Sequence, residues 1–198
     1  MNTTILRNSI LGIAGLAFAG GLAAGPLHHT DTTTADTRPV AAIQTDKANT
    51  VDTTKLIPHG VQGTQSHINL NTEQTANVKA IIAATKKTGL DERAAVISIA
   101  TALQESKLEN LGHLGDRNDH DSLGLFQQRP SSGWGTPEQI TNPEYATTAF
   151  LKGLRQVDGW QNMPLTDAAQ TVQVSAYPDA YAQWEQQAAD LVTQHWNN

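Results

Sequence analysis

The stretch that most constrains this chain is Ala94-Ala95-Val96-Ile97-Ser98-Ile99-Ala100-Thr101-Ala102-Leu103-Gln104-Glu105-Ser106. A helix that is apolar on almost every side has no face to give to water, so it predicts a buried central helix with other elements packed around it. Asp91 stands where a helix cap is needed. The run ends in an acid. Burial and the negative pole of the helix both disfavour a carboxylate there, so Glu105 is expected to hold its proton more readily than a surface glutamate. That is the property a general acid needs. The competing reading of the residue alone is an exposed glutamate on a last turn.

The rest of the folded part reads as helical around that core. Asn71 and Gln74 have capping-box spacing, Val78, Ile81, Ile82 and Thr85 share one face, and Gly89 can end the helix. Asn142-Pro143 opens another helix carrying Tyr145, Ala149, Phe150 and Leu154. A further helix is predicted from a Thr166 cap through Ala168, Ala169, Val172 and Ala176, ended by Pro178. A last one spans about Ala180 to His195. Between them, Leu111 to Pro130 is rich in glycine and polar residues and predicts loops with short strands. The fold class is therefore mainly α, of the α+β type, with a small irregular or β insert.

Ahead of this domain the chain changes twice. Residues 1–24 carry a single charge, Arg7, then an apolar run from Ile10 to Ala24, the pattern of a secretory signal peptide. That run is shorter than the roughly twenty residues needed to span a bilayer, so no stable membrane span is expected once the signal is removed. Residues 25–66 are rich in Thr, Asp, Ala, Gln, Pro and Gly without period and predict a flexible linker, leaving 67–198 as the folded domain. There is no cysteine, which excludes thiolate metal sites and cysteine nucleophiles. The formal charge is −6, and residues 67–198 carry 9 Lys+Arg against 15 Asp+Glu, again −6. A basic nucleic-acid footprint is absent, so no nucleic-acid partner is expected.

Four segments occur in order: Glu105-Ser106, then Ser122-Leu123-Gly124-Leu125-Phe126-Gln127, then Asn142-Pro143, then Ser175-Ala176-Tyr177. Together they resemble the lysozyme-like superfamily, in particular the catalytic domain of soluble lytic transglycosylases, over roughly Asn71 to Ala189. Two positions differ from that family's pattern: Phe126 stands where Met is common and Pro178 where Asn is usual. The resemblance implies a lysozyme-like domain that cleaves peptidoglycan glycan strands, secreted or cell-wall associated, acting as a monomer without cofactor or metal. Glu105 would be the catalytic acid. Ser106 would place the substrate or the helix end, Gly124, Leu125 and Gln127 would place the substrate, and Tyr177 would orient Glu105. Trp134, in a Gly-Trp-Gly loop, could stack on a sugar ring or pin its loop to the core.

Lysozyme-like hydrolysis asks for a second carboxylate, whereas a lytic transglycosylase works with one. The loop Asp116-Arg117-Asn118-Asp119-His120-Asp121 offers Asp116, Asp119 and Asp121 for that role, or simply as turn-capping residues. A lytic enzyme, a muramidase-type hydrolase and a non-catalytic peptidoglycan-binding module therefore all stay open at the level of sequence.

Overall fold

A computed structural model describes residues 53–115, 118 and 120–198. The expected signal segment 1–24 and most of the expected linker lie outside the described residues. Seven α-helices occur among the described residues: α1 Thr53–Leu56, α2 Thr72–Lys87, α3 Glu92–Ser106, α4 Pro137–Ile140, α5 Pro143–Leu154, α6 Leu165–Gln173 and α7 Glu185–His195. None is long and apolar enough to cross a membrane.

The central helix forms where the apolar run predicts it. Asp91 accepts from the Ala94 amide and caps α3, and every residue from Ala94 to Leu103 is buried. Helices α2, α5, α6 and α7 all pack against it. Helix α2 opens with a reciprocal capping box: Asn71 Oδ1 accepts from the Gln74 amide at 2.8 Å, and Gln74 Oε1 accepts from the Asn71 amide at 2.9 Å. Its Val78, Ile81, Ile82 and Thr85 are buried on one face, as the periodicity requires. Asn142 caps α5 through the Tyr145 amide, with Pro143 in the first turn.

Three expectations need correction. No strand forms among the described residues of the glycine-rich insert; the only pairing there is an isolated antiparallel bridge between Leu123 and Gln128. Those two residues exchange both backbone bonds, at 2.9 and 3.0 Å, around a loop in which Gly124 and Gln127 have positive φ. The ladder goes no further because the chain enters a 3₁₀ turn, Pro130–Ser132, directly after Arg129, and Pro130 has no N–H to give. Helix α6 starts at Leu165 rather than after a Thr166 cap, and ends at Gln173 because Val174 adopts a left-handed conformation. Thr166 Oγ1 instead donates to the Pro178 carbonyl at 2.5 Å. The last helix begins later than Ala180, as a 3₁₀ turn Ala182–Trp184 that runs into α7.

The ordered chain also reaches further back than residue 67. Leu56 is buried in the core, and its carbonyl accepts from Arg93 Nη1 at 2.6 Å. Arg93 Nη1 also pairs with Glu185 Oε1 at 2.7 Å, and both side chains are 3% exposed. Further on, the Ser66 amide donates to the Gln183 carbonyl, and Ile68 exchanges two bonds with the Gln187 side chain. A segment this polar is held by amide bonds to α7 and the turn before it, together with one buried leucine. No apolar period is needed for that, so none is visible in the sequence.

Candidate functional site

Glu105 sits on the last turn of α3 and is only 9% exposed. The phenol of Tyr181 donates to Glu105 Oε1 at 2.6 Å, a short bond of the charge-assisted kind. Tyr181 is fully buried. Burial, then the charge of Glu105 and the bond to it, push the phenol well above the ordinary tyrosine range, so it stays a donor at all physiological pH. The buried phenol thus fixes one carboxylate oxygen of Glu105.

The residue that meets Glu105 is Tyr181 rather than Tyr177. Tyr177 is 47% exposed, and its contribution is a backbone N–H donated to Ser175 Oγ at 3.2 Å. The left-handed Val174 turns the chain away from α6, which carries Tyr177 outward and brings the tyrosine four residues later into the core. Pro178 lies in this exposed turn and gives its carbonyl to Thr166.

The end of α3 is held on several sides. Ser106 Oγ donates to the Ala102 carbonyl at 3.1 Å and to the Leu125 carbonyl at 2.9 Å, which ties the helix end to the glycine turn. Gln104 Oε1 accepts from Gln183 Nε2 at 3.1 Å and from the Trp184 indole at 2.9 Å. After Ser106 the chain reverses through two consecutive left-handed residues, Lys107 and Leu108, with φ of 56° and 64°. Side chains of α2 satisfy their carbonyls: Gln74 Nε2 donates to Lys107 O at 2.8 Å and Asn77 Nδ2 to Leu108 O at 2.9 Å. Lys107 Nζ donates to the Leu103 carbonyl at 3.1 Å and lies 4.6 Å from the centre of the Trp184 ring. Burial pushes this ammonium below the ordinary lysine range, while Glu105 acts in the opposite direction.

The glycine turn packs closely against α4 and the end of α3. A Cβ on Gly124, whose φ is +71°, would collide with the Ile140 carbonyl oxygen, so the close approach of α4 requires glycine here. Leu125 is fully buried, and what it contributes is the carbonyl that Ser106 grips. Phe126 stacks on Phe150 at 5.0 Å, and its carbonyl accepts from Gln173 at 2.8 Å. Gln127 is half-buried and closes the turn by donating to the Gly124 carbonyl at 3.0 Å.

Trp134 is 8% exposed and belongs mainly to the core, so the pinning role is the one its position fulfils. Asp121 is engaged at both oxygens: Arg129 Nε and Ser131 Oγ reach Oδ1 at 2.7 and 2.9 Å, and the Ser131 amide reaches Oδ2 at 2.7 Å. Burial alone would raise its pKa, but these donors outweigh it and hold the group at about 2. Asp116 and Asp119 lie outside the described residues. The residues missed by sequence reasoning are Tyr181, Gln104 and Trp184. Tyr181 and Trp184 carried a hint: both lie on the apolar face expected of the last helix, and a buried phenol or indole needs a hydrogen-bond partner.

No protein-family model matches this chain, and no curated protein matches it. The chemistry open to the site follows from its geometry: one buried acid, fixed by a phenol, on a rigid helix end beside a tight glycine turn.

Proposed function

We propose that the chain is an exported enzyme that cleaves the β-1,4 bond between N-acetylmuramic acid and N-acetylglucosamine in peptidoglycan, by the lytic route. The observation that carries this reading is the buried Tyr181–Glu105 pair at the end of the central helix. In the free chain the carboxylate accepts from Tyr181; when a glycan fills the site and displaces water, the acid form is favoured, and from it Glu105 can give a proton to a leaving group and take one back. Glu105 protonates the glycosidic oxygen, and the bond from that oxygen to the anomeric carbon breaks. Its carboxylate then takes the proton of the C6 hydroxyl of the same muramic residue as that oxygen closes on the anomeric carbon. The products are a 1,6-anhydro sugar and a free 4-hydroxyl, with no water consumed. Both Asp121 oxygens are committed to Arg129 and Ser131, which makes this one of the three candidate carboxylates poorly placed to serve as a second acid.

Mass analysis of fragments released from purified peptidoglycan tests the proposal. Anhydro ends are expected, and Glu105→Gln is expected to lower their rate of release by about 10²–10⁴-fold without unfolding the chain. Reducing ends would replace the lytic reading with the hydrolytic one. An unchanged rate in Glu105→Gln would sink the assignment of the acid, and release of no fragments by the native chain would favour a binding module.

A further inference from the structure

Tyr181 meets Glu105 through a bond of 2.6 Å, and so short a bond needs the turn that carries the phenol to be held in place. The chain approaches Tyr181 through Ala176, Tyr177, Pro178 and Asp179, all of them exposed. It leaves through the 3₁₀ turn Ala182–Trp184, a geometry with poorer hydrogen bonds than an α-helix. Tyr181 and Trp184 are buried, but the polar fastening of this stretch comes from Gln183 and from the segment just ahead of α2. We infer that Gln183 is a positioning residue for Glu105, itself held by Gln65 and Ser66. The inference rests on the reading of Glu105 as the acid and adds a further residue to that site.

The side chain of Gln183 sits at a junction. Its Oε1 accepts from the Ser66 hydroxyl at 2.7 Å. Its Nε2 donates to Gln104 Oε1 at 3.1 Å and to the Ala180 carbonyl at 3.0 Å. Its backbone carbonyl accepts from the Ser66 amide at 2.7 Å. Gln65 grips the turn on either side of it: Nε2 donates to the Ala182 carbonyl at 3.0 Å, and Oε1 accepts from the Gln186 amide at 3.0 Å. Two pairs therefore lie side by side between α3 and the turn, Gln104 with Gln183 and Glu105 with Tyr181. A carboxamide suits the junction because it accepts from Ser66 and donates to Gln104 at once. A carboxylate has no proton for Gln104, and an ammonium has no lone pair for Ser66.

The consequence is electrostatic as well as mechanical. The bond from Tyr181 favours the charged form of Glu105, and a hydrogen bond weakens steeply as its geometry degrades. A displaced turn would therefore change both the aim of the acid and its hold on a proton. Tyr181 and Lys107 both act on Glu105, and a change at Gln183 leaves both in place. Gln183 is uncharged, so its influence on the acid runs through position. Its partners Gln65 and Ser66 precede residue 67, the start expected for the folded domain. Part of the expected linker thus belongs to the working unit of the site.

Carbon NMR titration of the Glu105 carboxyl in the full chain, assigned by its loss in Glu105→Gln, tests this without turnover. Gln183→Met keeps the length of the side chain and removes its amide. It is expected to move the Glu105 midpoint to higher pH and to lower kcat for fragment release about tenfold, with KM within about twofold of native. Ser66→Ala should shift the midpoint in the same direction by less, and Ser66→Thr should restore it. In a Tyr181→Phe chain, Gln183→Met should add no further rise, because the bond it aims is already gone. An unmoved midpoint in folded Gln183→Met, or an equal rise with and without the Tyr181 hydroxyl, would overturn the inference. If Gln183→Met does not fold, Ser66→Ala decides by the same criterion. If the midpoint moves but the native chain releases no fragments, the positioning stands and the cleavage reading falls. If fragments are released and the midpoint stays, cleavage stands and the positioning falls.

Discussion

Replacing Tyr181 by Phe removes one oxygen and leaves the ring in place, so it isolates the bond to Glu105. That bond is 2.6 Å long and buried. A hydrogen bond to a charged partner contributes about 1.5–3 kcal/mol, and a neutral one about 0.5–1.5 kcal/mol. Tyr181→Phe should therefore cost about 2 kcal/mol in the native chain. In a Glu105→Gln background, where the phenol meets a neutral amide oxygen, it should cost about 1 kcal/mol. For a domain of this size the first figure corresponds to a fall in Tm of about 6 °C. Denaturant unfolding of the four proteins at pH 7 closes the cycle, with an expected coupling of about 1 kcal/mol. Equal costs in both backgrounds would refute the charged bond, and a cost below about 0.5 kcal/mol in the native chain would refute the bond itself.

The same pair gives an alkaline signature. The folded phenol is raised above its unfolded value of about 10, so the folded chain keeps a proton that the unfolded chain releases. Stability from this group is complete below about pH 10 and declines as pH rises beyond it. Tyr181→Phe should flatten that limb of the Tm–pH curve, and an unaltered slope would show that another group sets it.

Two further outcomes can be checked by thermal melts. Gly124→Ala should lower stability by about 2–4 kcal/mol, because a left-handed alanine is strained and its Cβ also collides with the Ile140 carbonyl; a shift near zero would mean that α4 yields freely. Asp121, held at about 2 against 3.8, adds stability that is present above about pH 4 and lost as pH falls toward 2. Because that side chain is 34% exposed, the contribution is about 1 kcal/mol rather than the full value of the shift. Asp121→Asn should remove this acid-limb slope, and persistence of the slope would assign it elsewhere.

What could be read from the chain depended on how local the cause was. The buried helix, its Asp91 cap, the Asn71–Gln74 box and the Asn142 cap are set by neighbours within four residues, and all appear where expected. Helix α4 has the same kind of signal, Thr136-Pro137-Glu138-Gln139, but it is only four residues long and leaves no periodic trace. That Tyr181 rather than Tyr177 meets Glu105 was out of reach because it depends on Val174 adopting a left-handed turn, which a β-branched residue takes only when the tertiary structure forces it. The ordered segment from Thr53 was out of reach for a related reason. Its partners are Arg93 and, more than a hundred residues away, glutamine side chains and backbone before and within α7.

Gln74 gives the sequence an unexpected rigidity. In a capping box the third helical position accepts Glu as readily as Gln, because only an acceptor oxygen is asked for. Here the other end of the same amide donates to Lys107 O, at the reversal that follows Glu105 and Ser106. A carboxylate has no proton to offer that carbonyl, and Gln74 is 6% exposed, so water is poorly placed to substitute. One side chain begins one helix and finishes another. An exchange that looks silent at the start of α2 would therefore be felt next to Glu105, about thirty residues further along the chain.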